Sequence, residues 1–261
     1  MKISGIVLAG GKSTMFNFNK LQIRIGRVPL FIDTIFKLSF FCDEIIITTS
    51  SENLNFIKSE LKKVKKYFSK YQFDSLKKPI KKIIDSPLSN RNSRIKVIKD
   101  IERINGKKLT NTGSLIGIYT GLLNTNNFYS FVLAFDMPFI SYKLIGIILN
   151  LNSIREIRNP DIVITKNVKG FEALCGLYSK NCIEIIEENL KNEVFKISDI
   201  FYSLKTKIFT MTELEKKGID ILNFFNINTL KDYLAFQKEW NRENEKFSEK
   251  WYKYFLRSGI I

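Results

Sequence analysis

The sequence predicts an α/β fold in which a mainly parallel sheet is covered on both faces by helices. Three observations support this. Apolar runs rich in β-branched residues recur along the chain, at Ile3 to Ala9, Glu44 to Thr49 and Tyr129 to Phe135. Segments of helical periodicity alternate with them. The 261 residues, 44% hydrophobic and 26% charged, are enough to build and cover a sizeable core.

Taken in order, Ile3 to Ala9 is the first strand, and it runs into Gly10-Gly11-Lys12-Ser13. Leu30, Ile32, Ile35 and Phe36 mark a helix that ends near Cys42, and Glu44 to Thr49 is a buried strand that completes a βαβ unit. Leu54, Ile57, Leu61, Val64 and Phe68 step by three and four residues, predicting an amphipathic helix whose intervening lysines are solvated. Residues 71–93, with Pro79 and Pro87, lack periodicity and read as an inserted connection. Arg94 to Asp100 resumes strand character, and 101–112 is a second polar insertion. Gly113 to Leu123 reads as a turn entering a helix, and the apolar strand Tyr129 to Phe135 ends in Asp136-Met137-Pro138.

Pro160 to Thr165 and Glu172 to Tyr178 are two further strands, Ile183 to Leu190 is a helix, and Phe224 to Thr229 is a strand passing into a capped helix. The sheet is expected to take a late antiparallel edge. From Lys231 onward, Tyr233, Phe236, Trp240, Phe247, Trp251 and Phe255 mark an amphipathic helix docked on its own domain. The expected organisation is one domain over residues 1–233 and a helical tail over 234–261.

Composition narrows the chemistry. The chain has no histidine, which excludes Ser-His-Asp, Cys-His and His-metal chemistry together. Cys42, Cys175 and Cys182 lack metal-ligand spacing and are odd in number, so neither a zinc site nor a disulfide framework is expected and a reduced cytosol fits. No apolar run reaches membrane-spanning length, and the start Met1-Lys2-Ile3-Ser4 leads directly into a strand. A soluble cytoplasmic protein with no membrane partner is expected. The formal net charge of +16 raises nucleic-acid binding. Yet the lysines are spread throughout, and the residues in excess (Lys, Ile, Asn, Phe) are those of A/T-rich codons. Codon bias therefore accounts for the charge, and a monomer without a nucleic-acid partner is expected.

Carboxylates, lysines, backbone N–H groups and a hard metal ion remain. Gly10 and Gly11 lack Cβ atoms, so the chain there can take positive φ and bring N–H groups near an anion, to which Lys20 would add positive charge. That geometry suits a nucleoside triphosphate. A strand followed by Gly-Gly also serves as a plain connector, and the spacing is neither the P-loop pattern nor a dinucleotide fingerprint. Asp136 lies just beyond a strand's carboxyl end, the edge at which open α/β sheets bind ligands, and can share a crevice with Gly10 and Gly11.

With these pieces in order the chain resembles the molybdenum cofactor guanylyltransferases of the sugar-nucleotidyltransferase-like superfamily, over roughly residues 3–233. Leu8-Ala9-Gly10-Gly11-Lys12-Ser13 through Phe18-Asn19-Lys20 resembles the signature loop, and Gly26-Arg27-Val28-Pro29-Leu30 the following Gly-Lys-Pro-Leu segment. Gly113 to Leu122 resembles the Gly-Pro-Leu-x-Gly-Ile helix start, and Phe135-Asp136-Met137-Pro138-Phe139 the metal-binding Asp-Met-Pro. Glu172-Ala173-Leu174-Cys175-Gly176-Leu177-Tyr178 is similar to Glu-Pro-Leu-Cys-Ala-Leu-Tyr, and Phe225-Asn226-Ile227-Asn228-Thr229 to a closing Asn-x-Asn-Thr.

The resemblance implies a three-layer, Rossmann-like nucleotidyltransferase fold and guanylyl transfer from GTP to the phosphate of molybdopterin, releasing pyrophosphate. It implies that Leu8, Ala9, Gly10, Gly11 and Lys12 line the nucleotide, that Lys20 contacts phosphates, and that Asp136 holds Mg²⁺. Asp100 matches a second acidic position that accepts from base or ribose; a strand-terminal turn residue is the other reading of it. Transient contact with recipient molybdoenzymes is implied as well.

The pattern also has departures. Met15 stands where the family usually has arginine and Asn17 where it has glycine, which removes a bidentate phosphate donor; Lys12 and Arg27 are candidates to compensate. Ser114 replaces a usual proline, and Ser50-Ser51 stand where an asparagine often meets the base, with Asn53 nearby. Two alternatives therefore stay open: cytidylyl transfer to molybdopterin or another phosphorylated acceptor, and a catalytically weak or silent nucleotide-binding paralogue.

Overall fold

The computed structural model describes residues 1–10, 19–25, 28–64, 94–109, 113–150 and 159–240. Its centre is an eight-stranded sheet. The strands are β1 (Ile3–Leu8), β4 (Glu44–Thr49), β5 (Ile95–Lys99), β8 (Tyr129–Ala134), β9 (Ile162–Asn167), β10 (Gly170–Phe171), β11 (Cys175–Ser179) and β12 (Thr206–Thr210). Two-residue hairpin arms make up the rest: β2 (Arg24–Ile25) with β3 (Val28–Pro29), and β6 (Arg103–Ile104) with β7 (Lys107–Lys108).

The path runs β10-β9-β11-β8-β1-β4-β5, with β12 joined to β9. Parallel ladders link β8, β1, β4 and β5, with Leu8 opposite both Thr48 and Ala134. Every residue of β1, β4 and β8 is buried, as expected of strands covered on both faces. Side chains alternate between two apolar layers. Ile3 and Val7 pack with the Leu30–Ser39 helix, with Ile57 and Leu61 of the Ser51–Lys62 helix, and with Leu144 and Ile145 of the Tyr142–Ile148 helix. Ile6 and Leu8 pack with the Ser114–Asn124 and Cys182–Lys191 helices. The three layers follow from this alternation. All three cysteines are buried thiols outside any disulfide. Among the described residues no helix is long and apolar enough to cross a membrane.

The Ser114–Asn124 helix lies close to the sheet because glycines face it. A Cβ at Gly121 would sit 2.6 Å from Ile6 Cγ2, and one at Gly117 would sit 3.1 Å from Leu8 Cδ2 and 3.2 Å from Thr48 Oγ1.

The expected late antiparallel edge is β10, which ends the path antiparallel to β9; β11 lies inside the sheet between β8 and β9, antiparallel to both. One expectation needs correction: Phe224 to Thr229 is not a strand. A 3₁₀ turn occupies Ile221–Phe224, with the Asp220 side chain accepting from Leu222 N at 2.7 Å, and the Ile227 N–H goes to Asp136 O at 3.0 Å rather than into a ladder. The capped helix expected after it is present over residues 230–240. Thr229 Oγ1 accepts from Asp232 N at 3.2 Å, and Asp232 Oδ2 accepts from Thr229 N at 2.8 Å. Phe236 on this helix is buried with Ile23, Leu30 and Ile227. Residues 241–261, with Phe247, Trp251 and Phe255, lie outside the described residues, as do 71–93.

Part of the 101–112 insertion is a hairpin closed by Asn105-Gly106, with φ of 50° and 82°. Positive φ at both central residues is the requirement of a type I′ turn, which Asn-Gly meets at least cost.

Candidate active site

The sheet brings the carboxyl ends of β1, β4, β5 and β8 to one edge, where β1 lies between β4 and β8. Strand order reverses at β1, and such switch points open a crevice beyond the strand ends. Gly10, Ser50, Asp100 and Asp136 all fall at that edge.

β1 is held in the sheet to its last residue. Ala9 N donates to Thr48 O at 2.9 Å, Thr49 Oγ1 donates to Ala9 O at 2.8 Å, and Phe135 N donates to Leu8 O at 3.4 Å. Leu8 and Ala9 are buried, whereas Gly10 is exposed. Of these three residues, Gly10 is the one open to solvent. Gly11, Lys12, Met15, Asn17 and Arg27 lie outside the described residues.

Asp100 follows β5, with its N–H on Thr49 O at 2.8 Å. Its carboxylate fills the space between two glycines: a Cβ on Gly10 would lie 2.8 Å from Asp100 Oδ2, and one on Gly117 would lie 3.7 Å from Oδ1. Glycine at position 10 is what admits the carboxylate, whereas a Cβ at 117 would only touch it. Oδ1 is buried and accepts no hydrogen bond from a described residue, nor does the Thr48 hydroxyl in the same notch have a partner there. Burial pushes the Asp100 carboxyl up from 3.8 to about 6. A buried acceptor left unsatisfied is expensive for a turn residue but suits a group that meets a donor on a ligand.

Lys20 stands on a single 3₁₀ turn, Lys20–Gln22, capped by Asn19, whose side chain accepts from Leu21 N at 3.0 Å. Buried Leu21 anchors the turn, and the Asn19 amide donates to Asn53 Oδ1 at 2.7 Å, tying it to the first turn of the Ser51–Lys62 helix. From there Lys20 Nζ reaches Asp136 Oδ2 at 2.5 Å and Asn228 Oδ1 at 2.9 Å. Asn228 in turn donates its N–H to Asp232 Oδ2 at 3.0 Å. Burial pushes the Asp232 carboxyl up, but hydrogen bonds from Thr229 and the Asn228 N–H, with the charge of Lys20, bring it below the ordinary carboxylate range. The sequence-predicted Lys20 and Asp136 are thus in direct contact. The Asn228–Asp232 support was missed as a part of the site, although the Asn-x-Asn-Thr motif was the available signal.

Asp136 Oδ1 is buried and has no hydrogen-bond partner among the described residues. No cluster of three or more Asp, Glu, Cys or His occurs there that could enclose a metal. A cation at Asp136 would therefore take at most two protein carboxylates from the described residues and complete its shell with water and phosphate oxygens. That donor set fits Mg²⁺, which keeps several waters and is commonly held by one or two carboxylates plus phosphates.

On the far side of β8, Leu174 O accepts from Ala134 N at 2.9 Å, which brings the Glu172 turn beside this edge. Burial raises the Glu172 carboxyl, partly offset by the Asn167 amide at 2.6 Å and the charge of Lys169. A cavity of about 150 Å³ lies elsewhere, against Ile104, Leu109, Leu190 and Phe195, and is lined by none of the candidate residues.

No protein-family model matches the chain. It is 30% identical over 238 residues to the probable molybdenum cofactor guanylyltransferase of Clostridium perfringens (strain SM101 / Type A), covering 89% of this chain and 95% of that protein. It is 32% identical over 117 residues to the molybdenum cofactor guanylyltransferase of Desulfosudis oleivorans, a match spanning 45% of this chain and 56% of that one. Among solved structures, molybdopterin-guanine dinucleotide biosynthesis protein A from Archaeoglobus fulgidus superposes with a TM-score of 0.63 at 20% identity, covering 94% of this chain and 100% of that chain. The likeness to that structure is one of fold.

Proposed function

This chain belongs to the molybdenum cofactor guanylyltransferase family, and from that premise we propose that it transfers a guanylyl group from GTP to the phosphate of molybdopterin. A phosphate oxygen of molybdopterin forms the new bond to the α-phosphorus. The bond between the α-phosphorus and the bridging oxygen breaks, and pyrophosphate leaves with the electron pair. The attacking phosphate is already ionised and needs no general base, which accords with a chain that has no histidine.

What supports this reading best is the Lys20–Asp136 pair at 2.5 Å beside exposed Gly10, at the switch point of the sheet. Gly10 lets the phosphates approach backbone, and Lys20 neutralises their charge from a turn fixed by Asn19 and Leu21. Asp136 would hold Mg²⁺, which when bound supplies charge neutralisation to the phosphate oxygens. Asp100 accepts a hydrogen bond from the base or ribose in the notch between Gly10 and Gly117. Leu8 and Ala9 form the floor from which Gly10 projects. Delivery to recipient molybdoenzymes is the partner interaction that follows, and the protein acts as a cytoplasmic monomer.

Asp136→Ala in a protein verified as folded tests the site: turnover with Mg²⁺ and GTP is expected to vanish, and intact Mg²⁺-dependent turnover would overturn the assignment. Met15 and Asn17 in the signature loop favour a second reading, a catalytically silent paralogue that binds nucleotide without turning it over.

A further inference from the structure

The Leu30–Ser39 helix carries a lysine on its buried side. Lys37 is 5% exposed, and its ammonium donates to Pro138 O at 2.9 Å while pairing with Asp33 Oδ2 at 2.9 Å. An ammonium in such a place is costly unless it is paired and hydrogen-bonded, and an aliphatic side chain would fill the layer without that cost. The carbonyl it binds belongs to the turn that carries Asp136.

That turn is tied to two other parts of the fold and closed on itself. Thr34 Oγ1, one helical turn before Lys37, shares its proton between Leu30 O at 3.1 Å and Phe135 O at 3.4 Å. Ile227 N donates to Asp136 O at 3.0 Å, and Ile140 N donates to Met137 O at 3.4 Å. With Lys37 on Pro138 O, each carbonyl from Phe135 to Pro138 has a donor. The Lys37 bond is the charge-assisted one among the four, and the bond of this set that also holds a buried charge in place.

We propose that Lys37 is a positioning residue for Asp136: by anchoring the Pro138 carbonyl it fixes the turn, and with it the direction in which Asp136 Oδ1, unpartnered among the described residues, meets a divalent cation. The inference rests on the reading of Asp136 as the metal carboxylate. Asp33 serves the charge of Lys37 rather than the turn, since its carboxylate pairs with the ammonium while the ammonium alone reaches the Pro138 carbonyl. Removing the carboxylate of Asp33 and removing the ammonium of Lys37 therefore have different consequences.

The test measures binding of a non-hydrolysable GTP analogue by calorimetry, in EDTA and in Mn²⁺, for the wild type, Lys37→Met, Asp33→Asn and Asp136→Asn, with thermal unfolding of each. Lys37→Met is expected to bind the analogue in EDTA within twofold of wild type and to lose about tenfold of the affinity gained from Mn²⁺. Asp33→Asn is expected to unfold earlier yet keep the Mn²⁺ gain within threefold. Should Lys37→Met fail to fold, the double variant Asp33→Asn/Lys37→Met, which leaves no unpaired charge, takes its place. A full Mn²⁺ gain in whichever of these folds overturns the proposal, as does an equal loss in Asp33→Asn. If Asp136→Asn keeps the gain, the metal assignment itself fails and the role of Lys37 falls with it. If Asp136→Asn loses the gain while Lys37→Met keeps it, only the role of Lys37 fails.

Discussion

Replacing Asp100 by asparagine removes a carboxylate that the fold holds at a loss. In the unfolded chain this group releases its proton near 3.8, and in the fold burial keeps the proton on to about 6. Between those values the folded state binds more protons than the unfolded state, so the contribution of Asp100 to stability is fully present below pH 3.8 and lost as pH rises through 6. At 1.36 kcal/mol per unit, the shift of just over two units amounts to about 3 kcal/mol against folding at neutral pH. The asparagine would not titrate, and the Thr48 hydroxyl, without a partner among the described residues, faces the same glycine, Gly117.

The ligand-free Asp100→Asn protein is therefore expected to be more stable than wild type by up to about 3 kcal/mol at pH 8, or roughly 6–12 °C in Tm for a chain of this size. The advantage should shrink to near zero at pH 4. GTP binding should weaken by about tenfold or more, the loss expected for one hydrogen bond to a charged group. Urea unfolding of both proteins at several pH values between 4 and 8, with GTP binding at pH 8, reads both effects. A stability difference that is flat with pH, or a variant less stable than wild type at pH 8, would refute the reasoning.

Lys20→Met is expected to lower kcat/KM for GTP by about 10²–10³-fold, the scale of losing one charge-stabilising donor; steady-state pyrophosphate release checks it, and a change under threefold contradicts the role. Gly121→Ala places a Cβ against Ile6, with contacts of 2.6–3.0 Å, and should cost about 1–3 kcal/mol through overpacking, less about 1 kcal/mol regained in helix propensity. Urea unfolding reads the net effect, and a variant more stable than wild type would show that the helix does not pack as described. Met15→Arg is expected to raise turnover at least tenfold if the signature loop has lost a phosphate donor; no gain in the same assay points to compensation by another cation or to a silent site.

The core strands were legible because each is a short apolar run whose burial on both faces leaves little ambiguity: Ile3–Leu8, Glu44–Thr49 and Tyr129–Ala134 fall within a residue of expectation. The position of Asp136 was legible for a related reason, since a carboxylate directly after such a run has to emerge at the carboxyl edge of the sheet. Strand order was not. Nothing local in Cys175–Ser179 says that it pairs with Tyr129–Ala134 rather than closing the edge, because the neighbour is chosen by tertiary packing. Thr206–Thr210 escaped notice: lysines at 205 and 207 and its half-exposed pattern mask a strand that pairs in parallel with Ile162–Asn167. The Asn105-Gly106 hairpin was readable from its turn residues, yet its arms are too short and charged to show alternation. Phe224 to Thr229 misled because aromatic and β-branched residues suit any extended segment, while here the N–H of Ile227 is used to hold Asp136. In the site, Lys20 was legible, but its contact with Asp136 and Asn228 joins residues 116 and 208 positions apart, which no local pattern encodes.

The most direct measurement incubates the purified protein with Mg²⁺, molybdopterin and GTP, CTP or ATP separately, following dinucleotide and pyrophosphate together. Guanylyl transfer predicts equimolar guanine dinucleotide and pyrophosphate with GTP and little of either with CTP or ATP. No product with any nucleotide, from folded protein and an acceptor proven active with a related enzyme, would contradict it.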